Sequence, residues 1–195
     1  YLDVARRVDR GEASWGALPK AQQREMDEAV RMLRSAADQG HAPAQYNLGI
    51  VYENGKGVKQ DHVEAVRWYR KVAQQGIAEA QFNLSGMYAN GQGVKQDYAE
   101  AVRWYRKAAE QGKAEAQCNL GASYASGQGV KQDYDEALRW WRKAAGQGHA
   151  NAKKNIIILE DHLRGSTAAK LAAPSSPTCA HCGAAETAGG SVALK

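Results

Sequence analysis

Apolar positions recur along this chain at a fixed interval. Leu48, Leu84 and Leu120 are followed in step by Tyr52, Tyr88 and Tyr124, then by Val58, Val94 and Val130. Further on come Ala65, Ala101 and Ala137, and Trp68, Trp104 and Trp140. Polar punctuation keeps the same step, with Asp61, Asp97 and Asp133, and with a Gln-Gly pair ending at Gly40, Gly76, Gly112 and Gly148. Each step is 36 residues, which gives full units over 41–76, 77–112 and 113–148. A leading partial unit starts at residue 26, and a degraded first half covers 149–164. Self-similarity at this period is the mark of a repeat architecture.

Each unit reads as two helices. Over residues 43–54, Ala44, Leu48 and Tyr52 are spaced i, i+4, i+8 and make one apolar stripe. Pro43 suits a first turn, which needs no backbone donor there, and Asn54-Gly55 predicts a C-cap. Over residues 61–75, Asp61 is the expected N-cap and Glu64 completes a capping-box pattern. Ala65, Trp68, Tyr69, Val72 and Ala73 form the expected buried face. Between the helices, the valine of the Gly-x-Gly-Val loop is expected to plug the pair from below.

One such pair cannot bury both of its faces, whereas stacked neighbours can. The fold class expected is therefore all-α, a solenoid of stacked helix-turn-helix repeats. A buried aromatic contributes roughly 2–3 kcal/mol of apolar transfer. Trp68, Trp104 and Trp140 are thus the expected anchors between successive units.

The pattern Ala-x-x-x-Leu-Gly-x-x-Tyr-x-x-Gly-x-Gly-Val-x-x-Asp-x-x-x-Ala-x-x-Trp-Tyr-x-x-Ala-Ala-x-x-Gly resembles the Sel-one-like repeat, a branch of the tetratricopeptide superfamily with a longer unit. The resemblance spans residues 26–164, with Ser85 at a glycine register and Trp141 at a tyrosine register as departures. It implies a right-handed α-superhelix acting as an adaptor or scaffold. It also implies that first helices line a concave groove. Some members carry paired cysteines in every unit; this chain has only Cys118 in its repeats, so that subclass does not fit.

Differences between the units point to a recognition face. In the first helix the variable registers are Pro43/Glu79/Glu115, Tyr46/Phe82/Cys118, Ile50/Gly86/Ala122 and Glu53/Ala89/Ala125, which share one helical face. On the implied architecture, Tyr46, Ile50, Glu53 and Phe82 would line a groove for a peptide or helix. Neutral drift on a solvent face is the competing reading. Gln45, Gln81 and Gln117 and Asn47, Asn83 and Asn119 are constant and polar; they would either bond a ligand's main chain or brace neighbouring helices.

Composition and charge narrow the alternatives. The 195 residues are 44% hydrophobic and carry a net charge of +5. No apolar run reaches the ~18 residues of a membrane helix, and no secretory leader is evident, although the chain begins at Tyr1. Three cysteines make no disulfide framework, so a cytoplasmic or nuclear setting is expected; the chain is also expected to be a monomer. Arg67, Arg70 and Lys71 recur as Arg103, Arg106, Lys107 and Arg139, Arg142, Lys143. This stripe offers the alternative function, nucleic-acid or anionic-surface binding. Glu64, Glu100 and Glu136, three residues before the first arginine of each set, partly neutralise it. The histidines lack metal-site spacing, and no nucleophile elbow or phosphate loop occurs, so no catalytic residue is expected.

The ends read differently from the repeats. Residues 1–25 are expected to form a helical cap. Residues 165–178 are small and polar with Pro and Ser, which suggests a flexible linker, and a disordered tail over 179–195 follows. Cys179-Ala-His-Cys182-Gly183 resembles the opening of a MYND-type zinc finger. That resemblance implies Cys179 and Cys182 as two ligands of an incomplete zinc site, with no cofactor bound in the chain as given.

Overall fold

The computed structural model describes residues 19–172, with side chains through residue 165. These residues form eight helices and no strand. In order they are α1 (Lys20–Asp38), α2 (Ala42–Asn54), α3 (His62–Gln74), α4 (Ala78–Asn90), α5 (Tyr98–Glu110), α6 (Ala114–Ser126), α7 (Tyr134–Gly146) and α8 (Ala150–Ala172). The pairs α2–α3, α4–α5 and α6–α7 are the three full units. Each helix from α1 to α6 packs on the next, so the chain builds an α-solenoid of helix pairs. Contacts divide the chain after Leu159; the helices to that point form one block, and the remainder of α8 belongs to a second.

Local chemistry sets the helix boundaries. The second helices start at Asp61, Asp97 and Asp133, whose carboxylates accept from the N–H groups of Glu64, Glu100 and Glu136 at 3.0–3.1 Å. The capping box is only half made. Asp61 N–H donates to the Tyr52 carbonyl at 2.9 Å, a bond that ties the loop to the first helix, while Glu64 turns outward to Arg67. First helices stop at Gly55, Gly91 and Gly127, each left-handed, with φ of 66°, 68° and 75°. Leu163 stands at that register in α8. Lacking the glycine stop, α8 continues to Ala172, so residues 165–172, expected as linker, are helical.

The stack closes where each loop meets the preceding unit. A Cβ on Gly93 would lie 2.2 Å from the His62 carbonyl oxygen, and one on Gly129 would lie 2.1 Å from that of Tyr98. Backbone therefore rests on backbone between units, which only glycine permits.

The core forms two clusters, one around Leu48, Trp68, Tyr69, Val72, Leu84 and Met87, the other around Tyr105, Leu120 and Trp140. The loop valines Val58 and Val94 pack on the first and Val130 on the second. Trp68 and Trp140 are buried, as expected of anchors, but Trp104 is only partly so. It borders a cleft of about 770 Å3 that it shares with Arg70 and Gln74 of α3, so one face of its indole is open.

Candidate partner-binding surface

The constant glutamines act as braces. Gln45, Gln81 and Gln117 are 3–5% exposed. Their Nε2 groups donate to the carbonyls of Ala37, Ala73 and Ala109 in the preceding second helix, at 2.9–3.1 Å. Their Oε1 atoms accept from Gln75, Gln111 and Gln147 at 2.8–2.9 Å. Each side chain thus satisfies a carbonyl near one helix end while joining both helices of its own unit. Of the two readings open at the sequence level, the geometry shows bracing, because both polar atoms are engaged beneath the surface.

The Tyr46/Phe82/Cys118 register faces inward as well. Tyr46 meets Tyr69 with ring centroids 5.8 Å apart, and Phe82 meets Tyr105 at 5.9 Å. In the third unit, Trp141 donates its Nε1–H to the Cys118 carbonyl at 2.9 Å. The small cysteine lies opposite the largest ring, so variation here follows packing between the two helices. Next to these pairs, Gly49 and Gly121 let the rings approach the first helix. A Cβ on either would come within 2.6 Å of Tyr69 or Trp141.

What remains accessible on the first helices is a polar and apolar row. Asn47 is exposed; Tyr46, Ile50, Glu53, Phe82, Asn83 and Asn119 are half-buried. Asn83 Nδ2 donates to the Tyr46 hydroxyl at 3.2 Å, linking two units across this face. The Tyr69 hydroxyl donates to Glu53 Oε2 at 2.5 Å. Burial, followed by the Glu53 carboxylate, pushes the Tyr69 phenol far above its usual range. Burial also raises Tyr46, against an opposing bond from Asn83. Both rings therefore stay neutral donors or acceptors near neutral pH. At the other end, Lys113 lies over the Phe82 ring at 5.3 Å and pairs with Glu115 at 3.4 Å. Glu115 is held below the usual carboxylate range, first by its own backbone N–H and then by Lys113.

The basic stripe is engaged within the protein. Arg67, Arg103 and Arg139 pair with Glu64, Glu100 and Glu136. Lys71, Lys107 and Lys143 lie 4.2–4.4 Å over the rings of Trp68, Trp104 and Trp140. Arg70 and Arg106 donate to the hydroxyls of Tyr88 and Tyr124 in the next unit at 2.7–2.8 Å. These cations cover the aromatic spine and tie units together, which favours a structural use of the stripe.

Among the described residues, no three His, Cys, Asp or Glu side chains converge on a metal position, and no helix is long and apolar enough to cross a membrane. Cys179 and Cys182 lie outside the described residues, as do most of the expected cap and tail. His41 and His149 accept from Ala44 and Ala152 N–H and serve as helix caps.

A repeated two-helix unit stacked through glutamine braces and glycine contacts defines a class of helical repeat proteins. The Sel1 repeat family matches residues 18–41, 42–77, 78–113 and 114–149, and the chain belongs to that family. Among solved structures, it is similar to c5321, a protective antigen of uropathogenic Escherichia coli strains displaying an SLR fold. The identity is 48% and the TM-score 0.64, over 65% of this chain and 27% of that one. A Sel1 repeat protein from Oxalobacter formigenes is 38% identical with a TM-score of 0.62, over 67% of this chain and 54% of that one. Helicobacter pylori cysteine rich protein B shares the fold at 20% identity and a TM-score of 0.53, over 68% of this chain and 95% of that one. The chain thus spans about a quarter of the E. coli protein and about half of the O. formigenes protein. No curated protein sequence matches. Sel1 repeat proteins generally act as protein-interaction scaffolds.

Sequence reasoning left the glutamine braces open beside ligand bonding and missed the ring pairs. A signal for the ring pairs was present in the third unit, where registers 46 and 69 change together to Cys118 and Trp141.

Proposed function

We propose that this chain is a non-enzymatic scaffold that holds a peptide or a helix of a partner protein along the first helices α2, α4 and α6. The observation that carries this reading is the row Asn47, Ile50, Glu53, Asn83 and Asn119. It stays accessible while the neighbouring glutamines and rings are committed to packing. Ile50 supplies an apolar contact, and the asparagines can both donate to and accept from an extended main chain. Glu53 adds a carboxylate at α2, and Glu79 and Glu115 add carboxylates on the same face of α4 and α6. A partner segment carrying basic residues fits this face.

The test is selection of binders from a displayed peptide library, with affinities then measured by calorimetry. Selected peptides should lose at least tenfold in affinity for the Ile50→Ser, Asn119→Ala double variant and keep it for Arg103→Gln. Circular dichroism should show both variants fully helical, with a lower melting temperature only for the double variant, because Ile50 packs on the core. Peptides that bind the double variant normally, or that depend on Arg103, would remove the reading.

A further inference from the structure

The two end helices of the described stack carry complementary halves of a repeat unit. In register, α1 is a second helix and α8 is a first helix. Among the described residues, five large apolar side chains are exposed, and three of them, Met32, Ile157 and Ile158, are on these two helices. Met32 stands at the tryptophan register, which in the full units faces the preceding second helix, as Trp104 does towards α3. Ile157 stands at the register of Gly49 and Gly121, where the second helix of the same unit packs.

We infer that α8 of one copy pairs with α1 of a second copy, completing a repeat unit and joining the copies head to tail. The occupant is defined by register and by charge. Two of the three full units set a glycine against a large ring at the central contact, Gly49 against Tyr69 and Gly121 against Trp141, and the middle unit has Ser85 at that register. In the composite unit Ile157 stands at the glycine register and Leu33 at the ring register, so the central contact is again apolar on both sides. Charge agrees. Lys153 occupies the register of the bracing glutamines, and their partner register at the end of α1 is its capping residue Gln39, beside the exposed Asp38. An exposed cation thus meets an amide oxygen and a carboxylate. Helix lengths agree too. The full-unit helices have 13 residues, α1 has 19 with its extra turns at the N-terminal end, and α8 has 23 with its extra turns at the C-terminal end. Those are the ends that meet in an antiparallel pair. The new contact continues a packing that the chain already makes three times, and it replaces the monomer expected from the sequence. Such a contact is heterologous, so every added copy presents one end of each kind to the next.

Sedimentation of the full chain over a broad concentration series tests this. The average mass should climb above that of one 21.1 kDa chain as concentration rises. Met32→Lys blocks one end and Ile157→Asp the other, so each variant alone should sediment as a single chain. Their equimolar mixture should form pairs and no larger species, because one open end of each kind remains. Circular dichroism confirms that each variant stays helical; should either lose helicity, Met32→Gln and Lys153→Glu replace them. A wild-type chain that stays monomeric, a single variant that still associates, or a mixture that does not pair would overturn the inference. None of these outcomes depends on the first-helix face.

Discussion

The indole N–H of Trp141 bonds the backbone carbonyl of Cys118 at 2.9 Å, and the two side chains together fill the space that Phe82 and Tyr105 fill one unit earlier. The contents of this slot therefore vary as a pair. Enlarging one member alone overpacks it, at a cost of about 1–3 kcal/mol. Cys118→Phe should destabilise the chain by that amount in urea denaturation, and adding Trp141→Tyr should recover most of the loss. Additive losses in the double variant would show that the two positions are uncoupled.

Glycine positions separate into those that hold the stack and those that only end a helix. Gly93 is left-handed at φ 68° and rests on the His62 carbonyl, whereas Gly112, at φ 94°, has open space around its Cβ position. Gly112→Ala should cost about 1 kcal/mol through backbone strain. Gly93→Ala should cost clearly more, because the neighbouring unit has to move as well. Thermal melts of the two variants decide the order.

Gln81 carries the brace of the central unit through Ala73 and Gln111. Gln81→Leu keeps the size and removes the bonds, leaving a buried carbonyl without that partner. A loss of about 1–3 kcal/mol is expected. Hydrogen exchange should show the C-terminal turn of α3 opening more readily, and unchanged protection there would argue against a bracing role.

Tyr69 gives the stack a response to alkali. Its phenol is raised in the folded state by burial and by Glu53. In the window above the unfolded value of about 10, the unfolded chain releases this proton while the folded chain keeps it. The stabilisation from this group is therefore complete below that pH and is lost as pH rises beyond it. Denaturation midpoints should fall more steeply above about pH 10 in the wild type than in Tyr69→Phe. Parallel profiles would contradict the assignment.

The chain's periodicity was enough to set the two-helix unit, its 36-residue step, the aspartate caps and the glycine stops, because these depend on contacts within a few residues of one another. Tertiary structure decided how the polar and variable positions are used. In the sequence Gln45 is open to ligand bonding or to bracing until the end of α1 arrives to take its amide, and Tyr46 looks like a recognition residue until Tyr69 closes on it. The open face of Trp104 and the continuation of α8 past Leu163 were likewise not evident from the repeat pattern. A repeating sequence records which residues share a register. Whether a side chain in that register meets solvent or a neighbour depends on the spacing between helices, and that spacing is set only when successive units pack.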